Sequence, residues 1–170
     1  MDREVFQAVF QNIVQINREE FAGRDGVEDD PHMIILIHDG HPQAHLAKFL
    51  GGFQDPEHKC KSIRAAGHAY GEQGHNVLAV FIIHEAWISL NNVIPPSEDP
   101  KRFDALVISG MTTRGGHYDN IFIPIISTED GRALMDMKKP EGMTETPNQL
   151  LVHFLDSYRK ALDAHRARVN

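Results

Sequence analysis

The chain has 170 residues, a hydrophobic fraction of 41% and a formal net charge of −7. That length suits a single domain, 1–170, around one core. The acidic balance disfavours generic nucleic-acid binding, which needs clustered Lys and Arg. Cys60 is the only cysteine, so neither an internal disulfide nor a Cys-rich zinc site can form within one chain, and a reducing cytoplasm is expected. The opening MDREVFQAVF has early acidic residues and no long apolar run, so no signal peptide is expected. The longest apolar run, Val77 to Ile83, is too short to span a bilayer, and no membrane partner is expected.

In chain order, Asp2 caps a first helix whose stripe is Val5, Phe6, Val9, Phe10, Ile13 and Val14. The stretch GRDGVEDDP breaks it and reads as an exposed loop. Met33 to Ile37 is a β-rich run that stops at Asp39-Gly40, which signals a two-residue hairpin with positive φ at both central positions. The return strand is His41 to Phe49, and Pro42 places it at an edge or delays its start. A helix follows with Asp55 as N-cap, Pro56 first and Glu57 in the first turn. Cys60, Ile63, Gly67 and Tyr70 mark its inner face, and Gly74 its C′ position.

Val77 to Ile83 is apolar at every position, which predicts a central strand covered on both sides. The order strand, helix, strand permits one right-handed parallel crossover. After a Pro-rich loop, FDALVISGMTT, HYDNIFIPIIST and RALMDM read as a three-strand antiparallel meander with turns at Thr113–Gly116 and Glu129–Gly131. KKPEGMTETPN is a polar connector. A last helix begins with Thr146 as cap and Pro147 first, and its stripe is Leu150, Leu151, Phe154, Leu155, Tyr158 and Leu162. The sum is an α+β fold: a mixed, mainly antiparallel sheet flanked by N- and C-terminal helices.

Three segments could carry chemistry. In HDGHPQAH, a two-residue turn would set His38 opposite His41, with Cβ atoms about 5 Å apart, close enough for two ligands of one divalent metal. His45 would lie roughly 13 Å along the strand, so a third ligand would have to come from elsewhere, such as Asp39. An exposed polar turn is the plainer reading, because zinc sites need three or four convergent ligands. In FIIHEAW, Glu85 shares a face with Val77, Ala79, Phe81, Ile83 and Trp87, while His84 shares the other with Leu78, Val80 and Ile82. A carboxylate on an apolar face needs a partner or a raised pKa, so Glu85 with His84 is a candidate general acid or base. The competing reading is a structural ion pair. In PPSEDPKRFDAL, Ser97, Glu98 and Asp99 form a capped turn, and Lys101 or Arg102 could partner Glu85.

Other features are plainer. Ser109-Gly110 and the turn with Arg114 lack the spacing of a phosphate-binding loop or dinucleotide motif, so no organic cofactor is expected. Cys60 reads as a small apolar residue of the core. Arg159, Lys160, Arg166 and Arg168 suit the negative end of a helix dipole. There is no H-E-x-x-H, no zinc-deaminase signature and no G-x-S-x-G elbow.

Asp39-Gly40, Glu85-Ala86-Trp87, Pro96-Ser97, Pro100, Arg102 and Ala105 to Ser109 occur in the order of a DG hairpin, an EAW strand, a PSxxPxR loop and an ALxVS strand. In this the segment from Met33 to Ile126 resembles a loosely defined group of small, uncharacterised bacterial and phage proteins. Position 104 is Asp, where the pattern has Glu. The resemblance implies the fold outline and an EAW strand paired with the PSxxPxR loop, and it implies no catalytic residue. The expected function is a non-catalytic accessory or interaction domain, soluble and cytoplasmic, working as a homo-oligomer or with a protein partner. The alternative is a small hydrolase or metal-binding enzyme centred on Glu85, His84 and the 97–102 loop.

Overall fold

A computed structural model describes residues 1–22, 31–50, 52–53, 55–89, 93, 95–114, 116–129, 131–135 and 147–169. The fold is α+β. Its elements are α1 (Arg3–Ala22), β1 (His32–His38), β2 (Pro42–Lys48), α2 (Pro56–Glu72), β3 (Val77–Ile88), β4 (Phe103–Thr112), β5 (Tyr118–Thr128), β6 (Gly131–Leu134) and α3 (Gln149–Val169). The six strands form one sheet in the order β2-β1-β3-β4-β5-β6, and each described ladder is antiparallel. β2 and β3 run in the same direction and are joined through α2, so the expected crossover is present as a change of strand position. It makes no parallel ladder, because β1 lies between the two. β2 is an edge strand, one of the two placements Pro42 allows, and it begins at that proline.

β3 sits in the middle and is covered on both sides. On one face Phe6, Phe10, Ile13, Val14 and Phe21 of α1 pack on Ala79, Phe81, Ile83, Leu106, Ile108 and Ile123. Phe6 stacks on Phe81 with ring centroids 5.8 Å apart. The other face packs Met33, Ile35, Ile37, Val80 and Ile82 under α2 and α3, with Ile63, Leu151, Phe154, Leu155 and Tyr158.

The helix ends explain where the helices stop. Asp2 Oδ1 accepts from the Val5 N–H at 2.9 Å, and Asp55 Oδ1 accepts from the His58 N–H at 2.7 Å, so both acidic caps hold. At the end of α2, Gly74 takes φ 74°. The His75 N–H bonds the Tyr70 carbonyl at 3.2 Å and the Gly74 N–H that of Gly71 at 3.0 Å, a Schellman motif. The start of α3 is corrected. Asn148 is its cap, accepting from the Leu150 N–H at 3.0 Å, and Pro147 precedes the helix instead of opening it. Thr146, the expected cap, lies outside the described residues.

Two local readings change. The β1–β2 loop holds three residues, because His38 pairs with Pro42. Only Gly40 has positive φ, at 89°. In the β1–β3 ladder the register passes from Leu36↔Ala79 to Ile37↔Val77, leaving Leu78 as a bulge. Val77 therefore lies with Val80 in the α2–α3 core and not with Ala79 and Glu85. The bulge is held by Thr113, whose Oγ1 donates to the Val77 carbonyl at 2.6 Å and whose N–H donates to that of Leu78 at 3.0 Å.

α2 and α3 approach closely at two glycines. A Cβ at Gly67 would collide with the Phe154 carbonyl, and one at Gly71 with that of Tyr158. These obstacles are backbone and cannot swing aside. Gly67→Ala should therefore destabilise the fold by about 1–3 kcal/mol through overpacking, despite alanine's better helix propensity. The midpoint of urea unfolding checks this, and an unchanged or raised midpoint would contradict the packing.

Candidate functional site

Glu85 follows the apolar run of β3 and points to the α1 side of the sheet. Both its carboxylate oxygens are taken by Arg132 of β6: Nη1 donates to Oε1 at 3.0 Å and Nη2 donates to Oε2. The side chains are 17% and 20% exposed. The guanidinium also lies over the Phe21 ring of α1, 5.8 Å from its centroid. The forked geometry is the strong form of an ion pair. The partner is thus Arg132, and neither Lys101 nor Arg102, as the sequence suggested, takes that place.

Arg102 is engaged elsewhere. Its guanidinium lies 4.1 Å from the Trp87 ring centroid, and Nη1 donates to the Ser97 carbonyl. Asp99 ties the same loop to the end of β3, accepting from the Ser89 hydroxyl and, at 2.8 Å, from the Lys101 N–H. These bonds, the hydroxyl's first, lower its pKa below the ordinary aspartate value. The Pro-rich loop therefore folds back on the strand it leaves.

His84 points to the opposite face, toward α2, and is 7% exposed. Its Nδ1 lies 3.5 Å from Lys59 Nζ and 3.1 Å from the Glu85 carbonyl. It cannot satisfy both as one tautomer: an accepting nitrogen suits the ammonium, a protonated one suits the carbonyl. In either case Nε2 is buried without a partner among the described residues. Burial, then the Lys59 charge, lowers the His84 pKa to about 4, opposed by the bond to the Glu85 carbonyl. Burial likewise lowers the Lys59 pKa, with Cys60 acting in the other direction. Glu85, His84 and Arg102 are thus near one another in sequence but do not line one cleft: the first two lie on opposite faces of β3, and Arg102 bonds the loop.

His38 and His41 do not form the facing pair expected of a two-residue turn, because His38 stands opposite Pro42. His41 Nε2 lies 2.7 Å from Gln43 Nε2. Among the described residues no group of three His, Cys, Asp or Glu side chains is placed to hold a metal ion.

The hairpin's functional groups look elsewhere. Asp39 Oδ2 lies 2.5 Å from His75 Nδ1, and its Oδ1 accepts from the Asn76 N–H at 2.8 Å. The backbone bond first, then His75, lowers the Asp39 pKa. His45 Nδ1 lies 3.1 Å from the Tyr70 hydroxyl, and its ring meets that of His75 edge-on at 5.9 Å. Burial raises the Tyr70 pKa. The hairpin is thereby latched to the end of α2. No sequence signal marks this cluster, since Asp39 and His75 are 36 positions apart.

No family model, no curated protein and no solved structure matches the chain. Among the described residues no helix is long and apolar enough to cross a membrane.

The His84 environment has a direct thermodynamic consequence. An unfolded histidine titrates near 6.5, the folded one near about 4. The unfolded chain thus takes up a proton first as pH falls, so stability is fully present above about 6.5 and is lost toward about 4. The swing is roughly 3 kcal/mol. His84→Leu should flatten this slope and leave stability at neutral pH unchanged or higher, because it removes a buried unsatisfied nitrogen. Urea unfolding at a series of pH values measures both. A slope identical to the parent's would contradict the assignment.

Proposed function

We propose that the chain is a non-catalytic accessory or interaction protein that acts as a homo-oligomer, two copies joining along β2. The observation that supports this reading is the unequal cover of the sheet. Among the described residues, two helices cover one face, whereas α1 is the one helix on the other and packs chiefly toward β4 and β6. On that side the β1–β2 hairpin keeps an apolar surface. Ile34 and Leu36 are half-buried and Leu46 is 57% exposed. Ile16 of α1, 44% exposed, faces this surface across a groove of about 330 Å³ that Ala44 and Leu46 also line.

A second copy of the chain suits this surface. β2 has seven residues and pairs only with β1 among the described strands, so its outer backbone groups offer a ladder. Antiparallel pairing of β2 with its own copy satisfies a two-fold axis, and the same patch serves both partners. The groove carries Glu20 and Lys48, charges of opposite sign that a two-fold axis can bring together. The opposite edge is the short β6, with four residues, a less effective template.

The alternative, a small hydrolase or metal-binding enzyme around Glu85 and the 97–102 loop, has less support. A general acid or base needs an available oxygen in a cleft, and both Glu85 oxygens lie on Arg132.

Light scattering after gel filtration should return twice the 19.2 kDa chain mass. Leu46→Glu should weaken self-association by at least roughly tenfold. The dissociated monomer should keep its thermal midpoint, because Leu46 lies outside the core, while the concentration-dependent gain in midpoint from association is lost. A native chain that stays monomeric at every concentration would refute the self-association.

A further inference from the structure

A second cleft lies at the other end of the hairpin latch, with a volume of about 270 Å³. Three elements build it: the α2–β3 junction at Asn76 and Val77, the β4–β5 turn at Thr113 and Arg114, and the C-terminal half of α3. Arg159, Asp163 and Arg166 recur along one face of α3 at helical spacing and line it. Three guanidinium groups from two elements thus converge on one opening, against one carboxylate, in a chain of net charge −7.

The floor is rigid. The Tyr158 hydroxyl accepts from the Val77 N–H at 3.1 Å and donates to the His75 carbonyl at 2.8 Å. Thr113 Oγ1 is spent on the Val77 carbonyl. Arg159 is partly fixed: Nη2 donates to the Thr113 carbonyl at 3.0 Å, and Nη1 lies 3.9 Å from Asp156 Oδ1. Arg114 and Arg166 have no hydrogen bond or ion pair among the described residues. No ion pair joins Asp163 to any of the three arginines there. The helix dipole accounts for Arg166 in the last turn of α3. It does not account for Arg114, which lies in the β4–β5 turn, or for Arg159, near the middle of the helix.

We propose that this cleft binds a phosphate group, as free phosphate or as the phosphate of a small monoester. Planar guanidinium forks match phosphate oxygens in pairs, and Arg159 is already oriented by the Thr113 carbonyl. The volume falls just below the range of drug-sized ligand sites, which suits a compact anion. The negative end of α3 and Asp163 oppose the ligand and are outweighed by the three arginines. The proposal is independent of self-association, since the cleft shares no lining residue with the β2 groove.

The test is an amide NMR titration of the full chain with inorganic phosphate and, separately, with ribose 5-phosphate, against chloride at matched ionic strength. Saturable shifts confined to Asn76, Thr113, Arg114 and the C-terminal half of α3 are expected with phosphate and not with chloride. Tighter binding of the sugar phosphate would assign the site to monoesters, and equal binding to phosphate itself. Arg114→Gln and Arg166→Gln, both at exposed positions, should each weaken binding by roughly tenfold. Asp163→Asn should strengthen it, and Arg64→Gln on α2 should leave it unchanged. Shifts that do not saturate, that chloride reproduces, or that survive Arg114→Gln at full affinity would overturn the proposal.

Discussion

β3 carries apolar side chains on both faces, and the positions of the other elements answer that constraint. Phe81 and Ile83 look one way, Val80 and Ile82 the other, and all four are buried. Burial of each is worth about 1.5–3 kcal/mol, so neither face can be left to water. The chain meets the requirement with β1 and β4 alongside, α1 below, and α2 with α3 above. Gly67 and Gly71 let the two upper helices approach until backbone meets backbone. Gly110 of β4 does the same below, where a Cβ would strike the Phe81 ring. The core is therefore made as much by missing side chains as by large ones.

The same strand dictates where polar groups become costly. Its apolar run ends at Ile83, while both flanking layers continue past it. His84 and Glu85 are thus the first polar residues to enter a space built for hydrocarbon. The two solutions differ. Glu85 finds a forked guanidinium, so its desolvation is offset. His84 finds one lysine and one carbonyl at the same nitrogen and none at the other. A buried polar group left so is expensive. Its position beside a partly buried Lys59 makes this the most strained electrostatic environment among the groups described on β3.

Much of this was legible locally. The stripe of α1, the Asp55-Pro56 start and Gly74 end of α2, the edge position of β2 and the meander after β3 all follow from spacing, caps and breakers. What could not be read depends on a single residue's backbone or on distant chain. The Leu78 bulge reverses the side of Val77, yet no residue there announces it. Asp39-Gly40 fits loops of two or three residues, and the choice moves His38 from facing His41 to facing Pro42. Sequence proximity points to Lys101 or Arg102, 16 and 17 positions after Glu85, as its partner. Arg132, 47 positions away, reaches it because β4 and β5 bring β6 beside the floor of α1.

Unequal cover of the sheet also links the two proposed surfaces. The β1–β2 hairpin is less covered on its α1 side than on the other, where Met33, Ile35 and Ile37 pack under α2 and α3. Its ladder to β3 and this core set its orientation, and its tip adds a further tie. The tip is held by Asp39 on His75 and Asn76, and the middle of β2 by His45 on Tyr70. His75 and Asn76 form the junction that Tyr158 also grips from α3, through the His75 carbonyl and the Val77 N–H. Tyr158 in turn lies in the arginine-lined cleft. One short segment, His75 to Val77, thus bears on both the edge strand and the cleft. Thr113, which lines the cleft, also holds the Leu78 bulge through its bonds to the Val77 and Leu78 carbonyls. The hairpin and the cleft meet at a bulge, where the ladder already departs from its regular spacing.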